Sequence, residues 1–189
     1  MVKLAGMVRA AALATVVASA VAFAGAVPAY ADRVIPPPTD GDVLVWSTNS
    51  GTTGQDTKCM QVDQGHFDDF VPVDQFTCQY GKNQQWRMGL ATDAPDVFWL
   101  QNVRTGKCLD VYAYGTHQGD PVIQYRCLIG TNQQWRMLWS YNDGYALFQN
   151  VNSGLCLSVD GLNTADYRRY TQNPCYWWAA NEQLHPMLP

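Results

Sequence analysis

Two cysteines with 18 residues between them, followed by a glutamine step into a large apolar residue, recur three times along the chain. Cys59 and Cys78 precede Gln84-Gln85-Trp86, Cys108 and Cys127 precede Gln133-Gln134-Trp135, and Cys156 and Cys175 precede Glu182-Gln183-Leu184. The first cysteines lie 49 and then 48 residues apart, as do the second; Trp86, Trp135 and Leu184 are spaced by 49 both times. A unit this short cannot bury its own apolar face, so three copies must share one core. That restricts the chain to a closed, pseudo-threefold architecture and points to recognition rather than chemistry.

Within a unit the pattern is all β. Phe98 to Val103 is rich in β-formers and Thr105-Gly106 is a turn. Lys107 to Tyr112 alternates like a half-buried strand, and Gly115 to Gly119 turns again. Pro121 to Cys127 and Gln133 to Leu138 supply two further strands, and the third unit repeats this text at Ala146 to Val151 and Leu155 to Val159. Tyr141-Asn142-Asp143-Gly144-Tyr145 reads as a hairpin turn between units. Four strands per unit predict twelve in all. Because identical units should close identically, the expected disulfides are Cys59–Cys78, Cys108–Cys127 and Cys156–Cys175, each worth about 3 kcal/mol on the chain-entropy estimate. The cysteines lack the short Cys-x-x-Cys spacing of a metal site, and His66, His117 and His185 do not cluster in sequence. No metal or other cofactor is implied.

Residues 1–31 are of another kind. Lys3 and Arg9 are their only charges, an Ala/Val-rich run follows, and Ala29-Tyr30-Ala31 has the small-x-small form of a signal-peptide cleavage site. The expectation is a secreted, extracellular protein whose mature chain does not insert into membranes. Residues 32–42, with Pro36-Pro37-Pro38, read as an extended linker, and 43–189 as one domain with repeats at about 43–92, 93–141 and 142–189. Without residues 1–31 the chain carries 10 basic against 16 acidic side chains, net −6, which disfavours nucleic acid and anionic membrane surfaces as partners.

The order Cys-Leu-Asp-Val, Cys, Asn-Gln-Gln-Trp resembles the ricin-type (Gln-x-Trp) lectin family, over roughly residues 43–189. The resemblance implies an all-β β-trefoil of three four-stranded repeats, one disulfide each, with Trp86 and Trp135 as core residues. It also implies a sugar site in each repeat. That site takes an Asp two after the first cysteine, an aromatic two before the second, and the Asn-Gln pair ahead of Trp. A carboxylate accepts two hydroxyl hydrogen bonds, an amide donates and accepts, and an aromatic ring meets the C–H face of a pyranose.

Repeat two carries the full set, Asp110, Tyr125, Asn132 and Gln133, although Ile123 stands where the family often has Gln, with Gln124 beside it. Tyr112, Tyr114 and His117 are expected at its rim. Repeat one has Gln61 in place of the Asp but keeps Phe76, Asn83 and Gln84, a weakened or retuned site. Repeat three has Ser158, Asn173, Asn181 and Glu182, and is expected to be inactive as a family-type site. Tyr176-Trp177-Trp178 is expected to fill core in the atypical third repeat, with an exposed platform as the alternative.

No catalytic constellation is present in the sequence, so the expected function is reversible, metal-free binding of galactose- or xylose-type glycan or polysaccharide. The other reading is a protein-binding trefoil, a protease inhibitor or a toxin's receptor-binding subunit. The loop from Ser47 to Lys58 reads as flexible rather than preorganised for protease insertion, which disfavours the inhibitor version. Oligomeric state is not legible.

Overall fold

The computed structural model describes residues 37–48, 57–162 and 164–189. The expected leader, the first part of the linker and the tip of the Ser47–Lys58 loop lie outside the described residues.

Twelve strands are present among the described residues: β1 (Val43–Thr48), β2 (Lys58–Val62), β3 (Val73–Thr77), β4 (Gln85–Leu90), β5 (Val97–Asn102), β6 (Cys108–Val111), β7 (Val122–Tyr125), β8 (Trp135–Ser140), β9 (Tyr145–Asn150), β10 (Cys156–Val159), β11 (Arg168–Asn173) and β12 (Leu184–Met187). Six of them close a ring. β1 pairs with β4, β4 with β5, β5 with β8, β8 with β9, β9 with β12, and β12 returns to β1, all antiparallel. Closure leaves this barrel with no free edge.

The other six strands form three hairpins, β2–β3, β6–β7 and β10–β11, each attached to the barrel through β1, β5 or β9. The hairpins also touch one another. Arg169 lies opposite Asp74, Pro72 bridges to Ile123, and Pro121 to Thr171. A six-stranded barrel capped by a triplet of hairpins is a β-trefoil.

Burial alternates at the start of β4 and β8 as the period of two requires, whereas β1 and β9 are buried along almost their whole length. Trp86 and Met88 of β4 point inward with Arg87 outward, and Trp135 and Met137 of β8 do the same around Arg136. The two indoles satisfy their N–H groups on the carbonyls of Met60 and Leu109, at 3.0 and 3.1 Å. Leu184 occupies the third equivalent place without that bond. Tyr170 stands where the other repeats have Val73 and Val122, so the repeat that lacks the core indole places a larger side chain elsewhere in the same core. The three disulfides pair as the repeat predicts, each with a Cα–Cα distance of 5.0 Å. At the β8–β9 hairpin Gly144 adopts φ +68° and donates to Ser140 O at 2.9 Å. Part of the expected linker is less free than its prolines suggest: Gly41 N–H donates to Met88 O, and Asp40 Oδ1 accepts from Leu90 N–H, both at 2.9 Å.

What joins the repeats is a buried glutamine on the second strand of each hairpin. Gln124 Nε2 donates to the carbonyls of His66 and Asp68 at 2.7 and 2.8 Å, and Gln172 Nε2 to those of Gly115 and His117 at 3.0 and 3.1 Å. Gln75 Nε2 reaches Ala165 O at 2.7 Å. Each glutamine thus holds the turn of the preceding repeat, and repeat one holds that of repeat three. Gln124→Ala should remove the partner of the His66 and Asp68 carbonyls and of the Thr105 hydroxyl, costing about 2–3 kcal/mol. Urea denaturation of the disulfide-closed protein measures it.

Candidate functional site

The outward end of each hairpin faces the short turn that leads into the next barrel strand. In repeat two β6 carries Asp110 and the turn Thr131–Gln133 carries Asn132 and Gln133. Asn132 Nδ2 donates to Asp110 Oδ1 at 3.0 Å, and Gln133 Nε2 to Asp110 Oδ2 at 2.6 Å. Both carboxylate oxygens are therefore oriented, yet each retains a lone pair for a further donor. Burial pushes the Asp110 carboxyl up to about 6, against the opposing pull of the Gln133 and Asn132 hydrogen bonds. Asn150 of the following repeat fixes this turn by donating to Asn132 O at 3.0 Å.

Gln133 does a different job from the one the sequence suggests. Its Oε1 accepts from Leu128 and Ile129 N–H, and its Nε2 donates to Arg126 O as well as to Asp110. With all four hydrogen bonds taken inside the protein it anchors the loop and the carboxylate, leaving no group for a ligand. Gln84 repeats the arrangement in repeat one with Gln79, Tyr80 and Thr77. Gln124 does not substitute for the missing glutamine at Ile123, because neighbouring strand residues face opposite ways and its side chain goes to the preceding repeat.

Repeat one has the same frame with the carboxylate moved. Asn83 Nδ2 donates to Gln61 Oε1 at 3.0 Å, where repeat two has Asp110. Directly across the β2–β3 ladder from Gln61 stands Asp74, in register with Ile123 of repeat two. The Gln61 side chain hydrogen-bonds Asp74, so an Asn83–Gln61–Asp74 relay replaces the direct pair. Burial pushes Asp74 up to about 7 against that hydrogen bond. The sequence signal for Asp74 was its place four before Cys78, where the family's glutamine belongs. A cleft of about 260 Å³ lies over this site, lined by Gln61, Gln64, Phe76, Asn83, Arg104 and Tyr167.

Repeat three keeps the frame but not the chemistry. Asn181 Nδ2 donates to Ser158 Oγ at 2.8 Å, and Glu182 accepts from Tyr176 N–H at 2.7 Å. Burial pushes Glu182 up to about 7, against that backbone hydrogen bond. The cleft here is the larger, about 750 Å³, and contains Ser158, Asp160, Asn173 and Asn181. Tyr176-Trp177-Trp178 do not fill core. All three are exposed, Trp178 to 79%, with the Tyr176 and Trp178 rings 4.9 Å apart. The loop is held by its backbone, Tyr145 Oη donating to Trp177 O, so its rings need no burial to keep it in place.

Three equivalent turn-and-hairpin frames, two of them holding a buried aspartate carboxylate, stand around one β-trefoil. The ricin-type beta-trefoil lectin domain-like family model matches residues 38–125 and 131–186. The chain belongs to this family. Among solved structures it is similar to ThreeFoil, a designed threefold-symmetric protein, at 28% identity and a TM-score of 0.70, covering 78% of this chain and 99% of that one. It is also similar to part of an exo-beta-1,3-galactanase from Clostridium thermocellum (25% identity, TM-score 0.67, 82% of this chain and 31% of that one). The Rhizoctonia solani agglutinin shares the fold at 13% identity and a TM-score of 0.67, with 80% and 98% covered. No match was found among curated proteins.

Asp74, Asp110 and Glu182 all hold their protons to higher pH in the folded state than in the unfolded chain. The stability they confer is full below about pH 4 and is lost as pH rises through 6 to 7. The melting temperature should therefore fall over that window. Asp74→Asn should raise it at pH 8 and leave it unchanged at pH 4, as a pH series of thermal melts would show.

Proposed function

We propose that the protein is a secreted glycan-binding module whose principal site is in repeat two. Asp110 accepts paired hydroxyls, Asn132 supplies an amide, and the ring of Tyr125 meets the sugar's C–H face. Gln133 positions Asp110 from behind. The observation that carries this reading is the Asp110 carboxylate, held on both oxygens by amides and still able to accept, beside a half-exposed aromatic. The three disulfides suit an oxidising, extracellular compartment.

Galactose- or xylose-type glycan is the proposed ligand, since adjacent hydroxyls and one apolar ring face match a carboxylate next to an aromatic plate. The similarity to part of a galactanase supports the galactose side of that class. Repeat one is a second, weaker site built on Gln61, Phe76 and Asn83, with Asp74 orienting the Gln61 amide and Gln84 the loop. Repeat three is not a site of this kind. Binding involves no metal and breaks no bond. A shallow site of this sort holds a sugar at about −4 to −6 kcal/mol, and two such sites on one polymer gain avidity.

Asp110→Ala should abolish retention on a glycan and polysaccharide panel while leaving the far-ultraviolet spectrum unchanged. Retention that is indifferent to Asp110 and to free sugar would instead indicate a protein partner. Because hydroxyl donors favour the ionised carboxyl, affinity should weaken as pH falls through about 6, and binding below that pH should release a proton. Calorimetry in two buffers of different ionisation heat measures this. Stability and affinity then run in opposite directions with pH.

A further inference from the structure

One position per repeat carries a side chain that neither the core nor the Asp110-type frame uses. Phe70, Gly119 and Tyr167 are spaced by 49 and 48 residues and occupy the same turn between the hairpin strands. All three have left-handed backbone, at φ +68°, +87° and +63°. All three donate their N–H to the buried glutamine of the following repeat: Phe70 to Gln124 O, Gly119 to Gln172 O and Tyr167 to Gln75 O, at 3.0, 2.8 and 2.8 Å. The side chain at this position is thereby aimed across the seam into the next repeat's site.

In repeat two the Phe70 ring lies 5.0 Å from that of Tyr125 and 5.8 Å from that of Tyr112. In repeat one the Tyr167 ring lies 5.0 Å from that of Phe76 and lines the smaller cleft. Repeat three faces Gly119, and its cleft is about 750 Å³ against about 260 Å³. The residue before each ring is tied down as well: Asp69 pairs with Lys107 and Asp166 with Lys58. At the third seam Gln118 and Leu155 stand in those places.

Gly119 demonstrates that the turn needs no side chain. A bulky aromatic in left-handed backbone is strained, and these two rings remain 55% and 54% exposed, so they gain little burial in return. Two costs without a folding benefit are accounted for by a ligand. We propose that Phe70 and Tyr167 are aromatic plates lent by one repeat to the sugar site of the next, Phe70 to repeat two and Tyr167 to repeat one. Together with Tyr125 or Phe76 each forms a two-ring corner that grips a pyranose and sets which ring faces are accepted. This rests on the glycan-binding reading.

The test is frontal affinity chromatography of the disulfide-closed protein on lactosyl-agarose and on insoluble xylan, beside thermal melts. Phe70→Asn removes the ring while suiting left-handed backbone. It should weaken binding about threefold to tenfold with a melting temperature unchanged or higher, and Phe70→Tyr should restore binding. Unchanged or tighter binding in Phe70→Asn, with loss in Asp110→Ala, overturns the lent plate and leaves the repeat-two site standing. A binding loss that tracks a lowered melting temperature overturns it too, by making the ring structural. Wild-type protein retained on neither column overturns both readings.

Discussion

Everything in this molecule depends on three buried glutamines. Gln75, Gln124 and Gln172 are inaccessible to solvent, and each spends its amide on the turn of the repeat before it. A hairpin of four to six residues per strand has too little apolar surface to stand alone. By tying hairpin to turn around the full circle, these amides convert three marginal units into one closed object. The cost of leaving these buried amides without their acceptors makes that closure cooperative.

The same closure builds the sites. The first half of each comes from its own hairpin and turn, as with Asp110 and Asn132. The second half is carried by the backbone that the glutamine anchors, which is why residues 70, 119 and 167 face the next repeat. Pseudo-threefold symmetry then offers three versions of one place, and substitution has separated them. Repeat two keeps the carboxylate on β6, repeat one moves it across the ladder to Asp74, and repeat three has Ser158 and Thr171 in those two positions. Repeat three has instead an open cleft with an exposed Tyr176–Trp178 pair beside it.

How much of this is legible in the sequence follows from the range of each interaction. The repeat in cysteine and tryptophan positions carries the trefoil, the three disulfides and twelve strands, because identical spacing demands identical closure. Asp110 and Asn132 are legible because both lie at fixed offsets from a cysteine and a tryptophan in the same repeat. Gln133 is found but misread, since composition cannot tell a ligand amide from one saturated by its own loop. Asp74 escapes because its role depends on cross-strand register with Gln61. Phe70 and Tyr167 escape because their rings meet a repeat other than their own, though their alignment with Gly119 is a signal available once contacts between repeats are sought. Trp177 and Trp178 mislead because aromatic density suggests burial, whereas here backbone hydrogen bonds hold the loop.

The central claim is that repeat two holds the sugar between Asp110, Asn132 and an aromatic corner completed by repeat one. A crystal structure of the protein soaked with a galactose- or xylose-containing oligosaccharide tests it most directly. The account predicts a pyranose with paired hydroxyls on Asp110 and its apolar face against Tyr125 and Phe70, a second and weaker one at Gln61, Asn83 and Tyr167, and none in the repeat-three cleft. Sugar seated only in that cleft, against Tyr176 and Asn181, would contradict it.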